Sequence, residues 1–326
     1  MIRHTLGLCL LLPALLASVA ARADDAYPLA NKPITIIVPF AAGSGTDAIT
    51  RVIAEKMAAS LKASIVIDNK AGASGQIGTE FVARAKPDGY TLLVGTNSTH
   101  SGNQYLFKSL RYDPLRDFAP IGRMTINPLA LLVKHDAPFR SAADLVAYMK
   151  ANPGKASYGY GNTGGQVSGG MLVYMADAKA VAVPYKSTPQ AFTDLMGGQI
   201  DFTFVDFAAS RQLIDGGKLR ALAITSPKRF NVARDIPTVA ETPGFSDFSL
   251  FAWLGMFAPA GTPEAAITKL NAALRTALET PEVRNTLEQQ MGSVVEPTSV
   301  AEFRAFMQEQ SEIWKRRVRE AGMKPE

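Results

Sequence analysis

Between Ile34 and Gly95 a short β-branched apolar run, a turn of small residues and a helical stripe follow one another, and the order then repeats. "ITIIV" (Ile34 to Val38) has the continuous apolar character of a strand covered on both faces, as in parallel sheets. After the turn "PFAAGSGTD", the residues Ile49, Val52, Ile53, Met57 and Leu61 recur at three- and four-residue spacing, which puts them on one helix face. "SIVID" (Ser64 to Asp68) is the next strand, followed by the glycine-rich "NKAGASGQIG" and a helix signal ending near Ala85. The turn Pro87-Asp88-Gly89 leads into a third strand, "YTLLVG" (Tyr90 to Gly95). Strands alternating with helices predict an α/β fold, a mostly parallel sheet flanked by helices.

A second unit begins near Leu129, where "LALLV" reads as a strand. Helices at Ser141 to Ala151 and Gly169 to Ala176 alternate with strands near Ser157, at Ala180 to Tyr185, at Ile200 to Val205 and at Leu219 to Thr225. The chain then passes through the turn-rich "DIPTVAETPGF", and Thr262-Pro263 marks a helix start. The C-terminal stretch is helical, and its stripe Phe303, Phe306, Met307, Trp314 and Val318 has the period and residue types of core packing. The expected organisation is a first lobe from residues 24–127 and 228–326, with a second lobe, 128–227, inserted in it. Two crossings make a hinge, with a cleft between the lobes.

The first residues stand apart. Arg3, the apolar run Leu6 to Ala20 and the small-x-small "ARA" at Ala21 to Ala23 form a secretory signal peptide cut before Asp24. The run is short of the ~20 residues a membrane helix needs, and Cys9 lies inside it rather than at its end, so no lipid is expected. Removing residues 1–23 removes the only cysteine, and with it any disulfide, thiolate nucleophile or cysteine metal ligand. Arg3 and Arg22 leave with it and no acid does, so the formal charge falls from +5 to +3. Basic residues are scattered rather than gathered into a stripe, which excludes nucleic acid as a partner. His100 and His135 are far apart, outside any metal-binding spacing, and no cofactor or metal is expected. Neither G-x-S-x-G nor S-x-x-K with its companions occurs, so no catalytic residue is assigned.

Ligands of open α/β sheets bind beyond the carboxyl ends of strands, where four turns and one acid stand. In the first turn, Phe40, Ala41, Ala42, Gly43, Ser44, Thr46 and Asp47 lack the G-K-[ST] of a Walker loop and the third glycine of a dinucleotide turn. Small residues there let backbone N–H groups approach an anion, helped by the helix behind them. Ser44 and Asp47 approximate a capping box, and Asp47 is either that cap or an acceptor for a ligand or water. Thr96, Asn97 and Ser98 follow the third strand, with His100 as a structural group. Asn162, Thr163, Gly164, Gly165, Gln166 and Ser168 form a third group of donors. Pro184, Tyr185 and Lys186 offer a fixed backbone, a flat wall and a cation, and Asp206 follows a strand at the same edge.

The chain resembles the tripartite tricarboxylate transporter substrate-binding proteins, the Bug-type receptors. The likeness is carried, in family order, by "YPLANKPITIIVPFAAGSGTDAITR", "NKAGASGQIGTEFVARAKPDGYTLLVGTNSTH", "YDPLRDFAPI", "VPYKSTPQAFTDLMGGQIDFTF", "GKLRALAITSPKR", "DIPTVAE" and "WLGMFAPAGTP". The resemblance implies a type II periplasmic binding-protein fold in which a small carboxylate is clasped by Phe40 to Asp47, with Asn162 to Ser168 and Pro184 to Ser187 opposite. It implies a monomeric periplasmic receptor serving the large and small membrane subunits of a secondary transporter. Di- and tricarboxylates, acidic amino acids and aromatic carboxylates all remain open as ligands. A sensing subunit for a membrane signalling partner, or a secreted enzyme, stands as the alternative. Where the family turn is often P-F-x-x-G-G-x-x-D, this chain has Gly43 followed by Ser44, which keeps the backbone donors and adds a hydroxyl.

Overall fold

The computed structural model describes residues 27–29 and 31–325, so the expected signal peptide lies outside the described residues. The first lobe opens with β1 (Ile34–Val38), α1 (Gly45–Leu61), β2 (Ile65–Asn69), α2 (Gln76–Ala83) and β3 (Thr91–Thr96), then a single wide helical turn at Ser98–Gly102 and the short α3 (Asn103–Leu106). A long strand, β4 (Phe118–Lys134), leads into α4 (Ala142–Ala151), β5 (Ala156–Tyr160), α5 (Thr163–Met175), β6 (Ala180–Pro184), α6 (Thr188–Met196), β7 (Phe202–Asp206), α7 (Phe207–Asp215) and β8 (Leu219–Ile224). The chain returns through β9 (Phe251–Pro259) and closes with α8 (Glu264–Glu279), α9 (Pro281–Arg284) and α10 (Val300–Glu320).

Two mixed sheets flanked by helices make two lobes. In the first, β1 lies parallel between β2 and β3, β3 is antiparallel to β9, and β9 is antiparallel to the first part of β4, from Phe118 opposite Pro259 to Pro128 opposite Phe251. In the second, the remainder of β4 pairs antiparallel with β7 and β8, and β7 runs parallel to β5, itself parallel to β6. One strand therefore belongs to both lobes. The seam is tied where it changes sheet: Leu129 N–H donates to Thr225 Oγ1 at 3.0 Å, Thr225 N–H to Leu129 O at 2.9 Å, and Leu250 N–H to Thr225 O at 3.1 Å.

The antiparallel strands are less legible in sequence than the parallel ones. Pro120, Gly122 and Pro128 interrupt β4 with residues that normally punctuate turns; the ladder slips register between Pro120 and Gly122 and again between Arg123 and Thr125, and Pro128 stands where β4 passes from one sheet to the other. Gly255 breaks β9 in the same way, because the Phe303 ring fills the space a Cβ would need. α5 starts earlier than its expected start at Gly169, at Thr163, since Asn162 caps it and the backbone O of Phe204 lies 2.6 Å from where a Cβ on Gly165 would stand.

The C-terminal part departs from the expected partition. Residues 228–250 were expected with the first lobe, yet Val239, Phe245, Phe248 and Leu250 pack in the second lobe's core and Thr238 pairs with Ile224 at its sheet edge. The stripe on α10 is core throughout but serves two cores: Phe303 and Met307 pack with Trp253 and Phe257 of the first lobe, whereas Trp314 and Val318 join the second. A 21-residue helix can span both because it rises about 1.5 Å per residue.

Candidate functional site

The turn after β1 is held from behind. Gly43 adopts φ +79°, a conformation that costs an L side chain, and its N–H donates to Asp47 Oδ2 at 3.0 Å. Ser44 caps α1, with its Oγ accepting from Asp47 N–H at 3.3 Å. Asn69, at the end of β2, donates from Nδ2 to both Phe40 O and Asp47 Oδ1 at 3.0 Å. Arg51 reaches Asp47 from the next helical turn, its Nε donating to Oδ2 at 3.0 Å and a terminal nitrogen lying 2.9 Å from Oδ1. Burial opposes the Asp47 charge, but Arg51, the Gly43 N–H and Asn69 together hold its carboxyl below the usual range. Asp47 is thus the brace of the turn. The capping box is half formed, because Asp47 spends its reach on Gly43 rather than on the Ser44 N–H. The N–H groups left over are those of Gly45 and Thr46, the first two helical positions, which have no intrahelical acceptor.

At the end of β3, Thr96, Asn97 and Ser98 are buried. Thr96 Oγ1 accepts from Ser98 N–H at 3.2 Å, and Thr96 N–H donates to Thr99 Oγ1 at 2.9 Å, so the threonines organise the wide turn themselves. His100 stacks on Phe257 with ring centroids 4.0 Å apart and lies 2.8 Å from Thr99 Oγ1 through Nδ1. Burial pushes its pKa down to about 3, which keeps it neutral and places it in the core. Asn103 connects the lobes: Nδ2 donates to Ser74 O at 3.0 Å, and Oδ1 accepts from Thr163 Oγ1 at the start of α5.

In the second lobe, Asn162 Oδ1 accepts from Gly165 N–H at 2.9 Å, which leaves the first N–H groups of α5, those of Thr163 and Gly164, without intrahelical partners. Gly161 cannot be replaced cheaply, because a Cβ there would stand 2.4 Å from Thr188 N. That approach brings the α6 start beside the α5 start. Tyr185 donates its hydroxyl to Asp194 Oδ2 at 2.7 Å, and burial with that carboxylate raises its pKa to about 12, so the ring rather than the hydroxyl faces the cleft.

The lobes meet along two lines. A Cβ on Gly45 would lie 3.1 Å from Ala209 Cβ of α7, and one on Gly164 would lie 3.2 Å from Asn97 Nδ2. Beside these contacts an open cavity of about 400 Å³ separates Ala73, Ser74, Leu106 and Phe107 from Tyr160, Gly161, Gln166, Pro184, Tyr185 and Lys186. Of the residues expected from sequence, Gln166, Pro184, Tyr185 and Lys186 line it. Phe40 stands just behind its wall, its ring 3.2 Å from the position a Cβ on Gly75 would take. Ala41, Ala42, Gly43, Ser44, Thr46 and Asp47 lie outside that lining, as do Asn97, Thr163 and Gly164. Ser168 Oγ is buried without a partner in the body of α5. Ala73 and Ser74 stand in the glycine-rich stretch after β2, which was not among the expected binding turns, and Leu106, Phe107 and Tyr160 carried no signal that separates them from ordinary core residues.

Asp206 closes β7 and precedes α7, yet its side chain makes no capping bond. Burial raises its pKa to about 6, with only its own backbone N–H acting against the rise. Two acids at one edge are thus in opposite condition, Asp47 saturated and Asp206 unanswered.

Two α/β lobes joined at a strand shared between their sheets, with an open cavity between them, define a type II periplasmic solute-binding protein. Residues 49–323 match the tripartite tricarboxylate transporter family receptor, and the chain belongs to that family. Protein BugT of Bordetella pertussis is 33% identical over 314 residues, covering 94% of each chain. The structure of periplasmic binding protein BugD, 33% identical, superposes with a TM-score of 0.86 over 91% of this chain and 99% of its own. Rhodopseudomonas palustris Rpa4515, whose structure was determined with adipate, is 30% identical with a TM-score of 0.88, covering 92% of this chain and 100% of its own. The protein is a periplasmic receptor of a transport family and not an enzyme. Among the described residues no group of histidines, cysteines and acids could hold a metal ion, and no helix is long and apolar enough to cross a membrane.

Proposed function

We propose that the cleft binds a small carboxylate and that the closed form delivers it to the large and small membrane subunits of a tripartite tricarboxylate-type transporter. The observation that carries the binding mode is that the first turns of α1 and α5 each stand at a contact between the lobes, Gly45 against Ala209 and Gly164 against Asn97, with the N–H groups of Gly45, Thr46, Thr163 and Gly164 left over. Such groups attract anions through the N–H donors and the helix field together. A hydrogen bond to a charged group contributes roughly 1.5–3 kcal/mol net, so a few backbone donors suffice without an arginine. The ligand's far end then extends toward the cavity between Phe107, Tyr160 and Tyr185, with Lys186 as the cation at its rim. Rpa4515 with adipate supports a carboxylate with a carbon chain as the class.

The moving bodies in this reading are residues 128–250 against the remainder, with α10 as the strap across them, and the receptor acts as a monomer. A thermal-shift screen over small mono-, di- and tricarboxylates, adipate included, tests the binding. A ligand at a hundred times its Kd stabilises by about 2.7 kcal/mol, so a hit raises the midpoint visibly. Trp314 packs against Gly102 at the junction of the lobes, and its fluorescence in a Trp253→Phe background should change with the hits. No shift with any carboxylate overturns the proposal.

A further inference from the structure

Asp206 is placed to choose among carboxylates. It is the register partner of Leu129 across β7 and β4, and antiparallel partners send their side chains to the same face. Leu129 Cδ1 lies 3.5 Å from the point a Cβ on Gly164 would occupy, and Asn97 Nδ2 lies 3.2 Å from that point. The Asp206 carboxylate therefore shares a corner with the first turn of α5 and with the side chain that the first lobe brings to it.

Every element around that corner leaves the acid unanswered. α7 opens with Phe207, Ala208, Ala209 and Ser210, and Ser210 turns its hydroxyl back to Phe207 O. The first charge on α7, Arg211, is paired with Asp215 at 2.8 Å. On α1, Arg51 is committed to Asp47. The second half of β4 is apolar up to Lys134 at its far end. Among the described residues the only donor acting on Asp206 is its own N–H. An acceptor without a donor, set among backbone donors without acceptors, is complementary to a ligand that carries both.

We propose that Asp206 is the specificity-determining acceptor of this cleft, taking a hydrogen bond from a hydroxyl or ammonium group on the carbon beside the gripped carboxylate. The inference rests on the carboxylate-receptor reading above and names the ligand class within it: 2-hydroxy or 2-amino acids rather than their unsubstituted counterparts. An unsubstituted acid brings its negative charge next to Asp206 and offers nothing in return. A site built around a polar contact rejects the analogue that lacks it far more strongly than an apolar pocket rejects a missing methylene.

The test is isothermal titration of matched acids: succinate against malate and aspartate, and glutarate against 2-hydroxyglutarate and glutamate. In the unmodified protein at least one substituted acid should bind about tenfold or more tightly than its parent, as a hydrogen bond to a charged group implies. Preference for the hydroxy or for the amino member identifies which donor is used. In Asp206→Asn, whose fold is checked by its ligand-free melt, the gap should shrink to under about threefold, with the unsubstituted acid gaining. Equal binding of parent and substituted acids by the unmodified protein overturns the inference without any variant, and so does a gap that survives Asp206→Asn. Binding of none of the six overturns the carboxylate reading itself, which separates the two failures.

Discussion

Replacing Asp206 by asparagine should stabilise the ligand-free protein at neutral pH and do little in acid. The reasoning starts from the carboxyl at the end of β7, raised by burial from 3.8 to about 6. That difference corresponds to about 3 kcal/mol between its charged and neutral forms, an upper figure since the corner is not wholly sealed. A folded-state pKa above the unfolded one means that the fold holds the proton more tightly than the open chain does. The associated stability is complete below the unfolded value near 3.8 and is lost as pH rises through about 6. Asparagine keeps the shape without the charge and removes that loss. Asp47, whose carboxyl is held below its ordinary value, titrates in both proteins and cancels in the difference. Urea melts of both proteins at five pH values from about 3 to 8 should show the variant's advantage growing from near zero to about 2–3 kcal/mol, with the rise centred near pH 5 and complete above about 6. A difference that stays flat across that range, or a variant less stable at the alkaline end, refutes the claim that Asp206 is an unanswered charge.

Gly45→Val places a branched side chain where a Cβ alone would already stand 3.1 Å from Ala209 Cβ; ligand affinity should fall at least about tenfold while the ligand-free melt moves by under about 1 kcal/mol, because the obstruction is between lobes rather than within a core. Titration beside ligand-free melts separates the two. Asn69→Ala removes the shared anchor of Phe40 O and Asp47; the cost should be about 1–3 kcal/mol from the buried acceptors left unmet, and amide exchange at Gly43 should quicken. Unchanged Gly43 exchange would show that Asp47 holds the turn alone.

The parallel part of each lobe was legible because its signals are local. A β-branched run such as "ITIIV" and a stripe such as Ile49, Ile53 and Met57 identify their element without knowing any partner. The same holds for the turns beyond the strands, since Gly43 must accept a positive φ and Ser44 must cap a helix whatever else the chain does. Sequence therefore determined the α/β class and the order of the lobes. Tertiary structure decided what the turn residues do. Asp47 and Asp206 are equally plausible acceptors in one dimension. Only three-dimensional neighbours make one a saturated brace, through Asn69 twenty-two positions away and Arg51 on the next turn, and leave the other bare. The cavity wall at Ser74 and Phe107, the second lobe's hold on Phe248, and the splitting of one helical stripe between two cores all depend on contacts remote in sequence. Burial and hydrogen-bond satisfaction are properties of the packed chain, and no local pattern encodes them.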